Sequence, residues 1–246
     1  MKALITGAST GLGRDFAIAL SSMGYDLILV ARRKKLLESL KAELKTNVEI
    51  ISLDLGSTFN CAKLYEQVKE QDIDIVINNA GFGLGGEFVD TDLEKELDMI
   101  DLNIKAVHML TKMFLRDFVE KDKGYILNVA SSAAFQPGPL MATYYATKAY
   151  VYSMTTAIYE ELRRKKSKVY VGSLCPGPVK TDFFKTAKVE FKMPTLDSKF
   201  VVDYALKQMF KRKTVIIPGV NMRMGYYLGK IAPIKTKLKI VYNIKK

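Results

Sequence analysis

The chain has 246 residues, of which 48% are hydrophobic and 26% charged, a balance that fits one large α/β domain, or at most two small ones, with a sizeable core. No run approaches the ~18 uninterrupted apolar residues that a membrane-spanning helix needs. The apolar start Ala3-Leu4-Ile5 breaks at Thr6-Gly7, too soon for the core of a signal peptide. The net charge of +12 is uneven: no acidic residue follows Asp203, and Tyr204–Lys246 holds nine Lys and two Arg. The pI therefore describes the tail more than the body, which is nearly neutral. Cys61 and Cys175 match no metal or redox spacing, so no metal is expected and a reduced, cytoplasmic setting is the default.

In chain order, Lys2–Thr6 reads as a short strand that enters a glycine-rich turn. A helix with Phe16, Ala17, Leu20 and Met23 on one face follows, ended by Gly24. Leu27–Ala31 is an unbroken apolar run, as a strand buried on both faces would be. Arg33–Lys45 predicts a helix, Val48–Leu53 a strand, Ser57–Glu70 a helix capped by Ser57, and Asp74–Asn78 a strand. Asp92–Glu120 reads as one long helix, Gly124–Ala130 as the fifth strand, Thr143–Lys166 as a helix and Val169–Leu174 as the sixth strand. Residues 182–198 are irregular; Ser198–Lys211 is helical and Thr214–Ile217 a last strand. Strands alternating with helices of this length predict βαβ units. Right-handed crossovers then give a doubly wound parallel α/β sheet of about seven strands, with helices on both faces. No linker or internal repeat interrupts it.

In such a sheet, ligands bind beyond the carboxyl ends of the strands. The first of these ends carries Gly7, Gly11 and Gly13. Glycines there allow a tight turn and close backbone approach to a pyrophosphate, and the following helix offers its N–H groups and positive dipole end. Glycine also abounds in ordinary turns, so position rather than composition carries this reading. The second strand ends in Ala31-Arg32-Arg33 with no acid nearby to hold a ribose hydroxyl. A planar, bidentate guanidinium suits a 2′-phosphate, so NADP(H) is preferred to NAD(H), with Arg32 as first candidate and Arg33 beside it. The alternative is that both arginines merely begin a solvated helix. Asp54, at the end of the third strand, could accept from an adenine amino group or cap its own loop. Asn78-Asn79-Ala80-Gly81 ends the fourth strand, where exposed backbone could run along a cofactor.

Tyr144 and Lys148 are four apart and share a face if helical, about 5–6 Å apart at Cβ. An ammonium beside a phenol favours the phenolate and lowers its pKa, so such a pair with a hydroxyl nearby can transfer protons. By itself the pair is also what any surface helix carries.

Together these segments resemble the short-chain dehydrogenase/reductase family in its compact, single-domain, Rossmann-type form, over residues 2 to about 220. The family's TGxxxGxG loop matches Thr6-Gly7-Ala8-Ser9-Thr10-Gly11-Leu12-Gly13, its NNAG motif Asn78–Gly81, and its YxxxK motif Tyr144 to Lys148. Its serine falls on Ser131, its helix-borne asparagine on Asn103, its PG motif on Pro176-Gly177 and the threonine after it on Thr181. The serine spacing selects Tyr144 over Tyr145 and Ser131 over Ser132.

The resemblance implies a catalytic set of Asn103, Ser131, Tyr144 and Lys148. It also implies cofactor contacts from Ser9, Thr10, Leu12, Leu55, Asn79, Ala80, Gly81, Val179 and Thr181 besides the residues above. Tyr144 would donate a proton to a carbonyl oxygen that Ser131 polarises, while a nicotinamide supplies hydride. Lys148 would lower the Tyr144 pKa and hold the nicotinamide ribose. Asn103 would hold a water linking Lys148 to solvent, and Thr181 would bond the carboxamide.

Relatives contact substrate between serine and tyrosine, here Phe135, Gln136, Leu140 and Met141. Phe183 and Phe184 open the 182–198 segment, which resembles the family's lid and also holds Phe191 and Met193. This apolar set implies an apolar ketone, aldehyde, acyl or steroid-like substrate, unless the residues only fill core. A homodimer or homotetramer is expected. The rival reading is a noncatalytic NADP-binding regulatory or scaffold protein, against which the complete four-residue set argues. An epimerase or dehydratase relative would usually carry a larger C-terminal substrate domain.

The body, residues 1–219, is followed by a basic amphipathic tail, residues 220–246, divided by Pro233. Three uses remain open for it: peripheral membrane contact, docking on another subunit, or a solvated face over core. Nucleic acid is not expected as a partner. His108, the sole histidine, reads as packing or surface.

Overall fold

The computed structural model describes residues 1–187, 189 and 194–245. Phe191 and Met193 of the expected lid lie outside the described residues. The strands are β1 (Lys2–Thr6), β2 (Asp26–Ala31), β3 (Val48–Ser52), β4 (Ile75–Asn78), β5 (Tyr125–Val129), β6 (Tyr170–Leu174) and β7 (Val215–Ile216). Between them run α1 (Gly11–Ser22), α2 (Lys34–Glu43), α3 (Thr58–Val68), α4 (Leu93–Ile100), α5 (Val107–Glu120), α6 (Ala142–Arg164), α7 (Phe183–Ala187) and α8 (Ser198–Phe210). After β7 come α9 (Val220–Ile231) and α10 (Ile234–Lys245).

Successive side chains of a strand point to opposite faces, so an apolar run feeds two core layers at once. Leu27 and Leu29 of β2 join the layer under α1, α2 and α8, with Phe16, Leu37 and Val201. Ile28 and Val30 join the layer under α3 and α5, with Leu64, Phe114 and Phe118. Every pairing between these strands is parallel, in the order β3-β2-β1-β4-β5-β6-β7. The chain reverses its direction of travel across the sheet between β1 and β4. Loops leaving those two strands diverge and open a crevice beyond their carboxyl ends.

Helix ends follow local chemistry. The side chains of Ser57, Asp92 and Asp197 accept from the backbone N–H three residues on. Gly24, at φ +85°, ends α1. Met23, expected on the buried face of α1, is instead exposed at its C-cap, one residue past the last full turn.

The long helix expected over Asp92–Glu120 is broken by a π-helical turn at Asp101–Ala106. Such a turn inserts an extra residue into the α ladder and is favoured where something else compensates. Here Asn103 turns inward and is fully buried. Its amide accepts from Phe82 N at 3.1 Å and donates to Phe82 O at 2.9 Å and Thr147 Oγ1 at 3.1 Å.

Beneath the crevice lies a buried polar network. Asn78 Nδ2 donates to Asn128 Oδ1 at 2.8 Å and to Thr111 Oγ1 at 3.1 Å; Asn128 Nδ2 donates to Thr155 Oγ1 at 3.0 Å. It ties β4 and β5 to α5 and α6, just below the turns that carry Asn79 and Ser131. Removing one member strands the others in a low dielectric. Asn128→Ala is expected to cost about 2–4 kcal/mol in chemical denaturation; an unchanged midpoint would show the network to be energetically idle.

Candidate active site

The phosphate-loop glycines are where the two central strand ends meet. Gly7 (φ +65°) and Gly11 (φ +55°) occupy the left-handed region that favours glycine. A Cβ on Gly7 would stand 2.8 Å from Ala80 Cα and 2.9 Å from Asn79 Nδ2. One on Gly13 would collide with the Gly7 carbonyl oxygen. The closeness has a cause. Thr6 Oγ1 accepts from both Asn79 N and Ala80 N at 3.0 Å, and Asn79 Nδ2 donates back to Thr6 O at 3.0 Å. The N-cap of α1, Thr10, makes no side-chain cap bond. Its hydroxyl instead accepts from Arg33 Nη2 at 2.9 Å, as does Ser9 Oγ.

Arg32 points elsewhere. Its Nη1 lies 3.4 Å from Asp54 Oδ2, while Asp54 Oδ1 accepts from Gly56 N at 3.0 Å. The sequence expectation that no acid stands near the end of β2 is therefore corrected. β3 pairs with β2, which brings its own carboxyl end, and Asp54, alongside. Asp54 caps its loop and also faces the crevice. Arg33, not Arg32, forms a basic cluster with the two hydroxyls of the glycine loop.

Across the crevice, Ser131 begins the 3-10 turn Ser132–Phe135, its Oγ accepting from Ala133 N at 3.1 Å. The same hydroxyl is hydrogen-bonded to Tyr144. Lys148 Nζ donates to Val129 O at 3.0 Å and lies 5.8 Å from the centre of the Tyr144 ring. Tyr144 and Lys148 are both buried, so they do share one helix face, and it is the inward one. Burial pushes the Tyr144 phenol up to about 12, against the opposing hydrogen bond from Ser131. Burial likewise drives the Lys148 ammonium down to about 8, against a smaller opposing effect of Cys175. Within the protein alone, desolvation thus dominates Tyr144, and the expected lowering by Lys148 does not offset it. Gly81 is the meeting point of this group: a Cβ there would stand 2.8 Å from Asn103 Oδ1 and 3.4 Å from Lys148 Nζ.

Most of these groups border one cavity of about 1060 Å³. Its polar end is lined by Gly7, Ser9, Thr10, Gly11, Leu12, Arg32, Arg33, Asp54, Leu55 and Asn79–Gly81. Its middle holds Ser131, Tyr144, Lys148, Pro176, Gly177, Val179 and Thr181. Its apolar end holds Phe135, Gln136, Met141, Phe183 and Phe184. Gly13, Asn103 and Leu140 do not reach the wall. Leu140, at φ +63°, contributes backbone instead, its carbonyl accepting from Gly86 N at 2.9 Å. The 182–198 segment is not irregular throughout: α7 places Phe183 5.3 Å from the Tyr144 ring, and Ala187 O accepts from Gly85 N.

Sequence reasoning missed one wall. α9 and α10 cover the apolar end, with Met222 against Gly177 and the Tyr226 ring 4.4 Å from that of Phe135. Tyr226 Oη and Tyr152 Oη are 3.2 Å apart, and Val241 is buried among Met141, Tyr144 and Tyr145. Met222, Tyr226 and Gly229 at helical spacing were the available signal. His108 lies off the cavity, exposed, 2.7 Å from Tyr150 Oη. Both cysteines are buried, which pushes Cys61 up to about 11 and Cys175 up to about 12, so neither is a thiolate at neutral pH. Among the described residues no cluster could hold a metal ion, and no helix is long and apolar enough to cross a membrane.

The short chain dehydrogenase family model matches residues 1–190. The chain belongs to the short-chain dehydrogenase/reductase family. It is 31% identical to the human very-long-chain 3-oxoacyl-CoA reductase over 99% of this chain and 79% of that protein. An oxidoreductase of Staphylococcus epidermidis is 34% identical over 76% of this chain and 84% of its own. Among solved structures, a short-chain dehydrogenase from Sphingobium yanoikuyae in complex with NADPH superposes with a TM-score of 0.84 at 32% identity, covering 93% of this chain and 92% of that one. The bulky-bulky ketone specific alcohol dehydrogenase of Comamonas testosteroni gives 0.80 at 29%, covering 100% and 95%. The protein is thus an oxidoreductase of this family.

The buried lysine has a stability consequence. Its folded pKa lies below the unfolded value, so charging it opposes folding. That penalty is complete below about pH 8 and fades as pH rises towards the unfolded value of about 10.5. Lys148→Met is expected to raise stability by about 1–3 kcal/mol at pH 7 and by much less at pH 10. Denaturation midpoints at both pH values check this; a loss of stability at pH 7 would show that the Val129 bond outweighs desolvation.

Proposed function

We propose that the protein is an NADPH-dependent reductase of carbonyl groups on bulky, apolar substrates, with Tyr144 as the proton donor. The observation that carries this is the single cavity in which buried Tyr144, Ser131 and Lys148 stand between a glycine-rich anion cradle and an apolar wall. A dinucleotide fits the cradle: the loop lacks side chains where its backbone must be approached, and α1 turns its N-terminus towards the cavity. Gly7–Leu12, Asp54, Asn79–Gly81 and Thr181 would hold it, and its nicotinamide would supply hydride.

Burial favours the neutral phenol, so Tyr144 holds a proton that it can give to a carbonyl oxygen. Ser131 orients that phenol and polarises the carbonyl. Lys148 supplies positive charge beside it and is itself close enough to neutrality to pass a proton on. The Asn103 amide is fully engaged by Phe82 and Thr147, so its part is to position Gly81 and Lys148, not to touch substrate.

The cofactor preference rests on Arg33. A guanidinium and two hydroxyls converging at the cavity rim match the oxygens of a phosphate monoester, and a relative of known structure is described in complex with NADPH. For the substrate, the apolar end agrees with the relatives named for long 3-oxoacyl and bulky ketone compounds.

NADPH oxidation followed by absorbance over a panel of bulky ketones and 3-oxoacyl thioesters tests the activity. Tyr144→Phe is expected to lower kcat by about 10³-fold or more while leaving the NADPH Kd within a few-fold; a variant that turns over normally would remove Tyr144 from the chemistry. Arg33→Ala should weaken NADPH binding by roughly tenfold or more and leave NADH unchanged. Equal effects on both cofactors would sink the 2′-phosphate assignment.

A further inference from the structure

Helix α9 is apolar on two sides. Met222 and Tyr226 face the cavity. Around the same helix Val220, Met224, Tyr227 and Ile231 recur at intervals of four, three and four residues, which aligns them in one stripe. None of the four lines the cavity, and they are 68%, 57%, 65% and 82% exposed. Ile234, at the start of α10, is exposed as well. A folded chain seldom leaves so long an apolar stripe bare unless something covers it.

The surrounding charge says what kind of surface that is. Arg223 and Lys230 flank the stripe on the same helix and are exposed, Lys230 also reaching the cavity over the Tyr226 ring, and Lys235 and Lys239 are exposed on α10. No acid occurs anywhere in the chain after Asp203. A second copy of the same face would bring two cationic tails together with no carboxylate from either to offset them. A spanning anchor is ruled out by length: α9 has 12 residues, about 18 Å of helix, against the ~30 Å of a bilayer core. A short helix with an apolar stripe and cationic flanks matches the interface of an anionic bilayer, where the stripe enters the acyl boundary and the cations meet phosphates.

We propose that the outer stripe of α9, with its basic flanks, docks the protein on an anionic lipid surface. The opposite side of the same helix walls the cavity, so docking holds the apolar end of the cavity against the bilayer. An apolar substrate can then pass from lipid to cavity without crossing water. This bearing on substrate entry rests on the carbonyl-reductase reading; the docking itself does not.

The test is flotation of the full chain with vesicles of phosphatidylcholine alone or mixed with phosphatidylglycerol. The expected result is flotation with the anionic vesicles, little with the neutral ones, and release at about 0.5 M salt, where charges are screened within a few ångströms. The double variant Tyr227→Glu/Ile231→Glu should lose at least tenfold in vesicle partitioning. It should keep its melting curve, and also its turnover of any water-soluble carbonyl the wild type reduces. Failure of the wild type to float, or equal flotation of wild type and variant, overturns the proposal. So does a wild-type dimer in sedimentation that the variant abolishes, which would assign the stripe to a second copy. Because flotation needs no turnover, a failed activity screen leaves this result readable.

Discussion

One hydroxyl holds the centre of the molecule together. Thr6 Oγ1 takes the N–H groups of Asn79 and Ala80, and so binds the end of β1 to the end of β4 where the sheet reverses its order. Everything in the crevice depends on that closeness. It makes glycine mandatory at Gly7 and Gly13, and with them the bare backbone that a dinucleotide can approach. It also fixes the turn carrying Gly81, against which Asn103 and Lys148 both pack. The glycine cradle and the buried Ser131–Tyr144–Lys148 group are therefore not separate constructions. They share one turn, and the network through Asn78 and Asn128 supports that turn from below.

The electrostatics of the site follow from depth. Tyr144 and Lys148 are both removed from water, and the same desolvation pushes one pKa up and the other down. The two are driven further apart in acidity than they would be at the surface, which keeps the proton on the phenol and loosens the one on the ammonium. The cost falls on the fold, because a buried ammonium with a backbone carbonyl as its bonded partner opposes folding at neutral pH. The site is thus held in place by the rest of the sheet rather than contributing to its stability.

Much of this was legible in the residues. Apolar runs with alternating destinations gave the strands, and the Tyr144–Lys148 spacing gave a shared helix face, because both rest on local periodicity. Four features were not legible, each for a nonlocal reason. The π turn around Asn103 is compensated by Phe82 and Thr147, which lie far off in sequence. Asp54 meets Arg32 only because β3 pairs beside β2. The two arginines looked equivalent in sequence, yet Arg33 reaches the hydroxyls of the glycine loop, one strand further in. The tail showed a helical pattern with apolar residues on two sides, and periodicity alone cannot say which side meets the cavity.

The position of α9 and α10 in the chain has a developmental meaning. The sheet strands and the residues around Tyr144 all precede Val220. During synthesis the body can therefore gather its two core layers while the cavity still lacks a wall. The helices that complete the apolar end of the cavity follow every strand of the sheet. Substitutions in α9 and α10 act on the apolar end of the cavity, which both helices line.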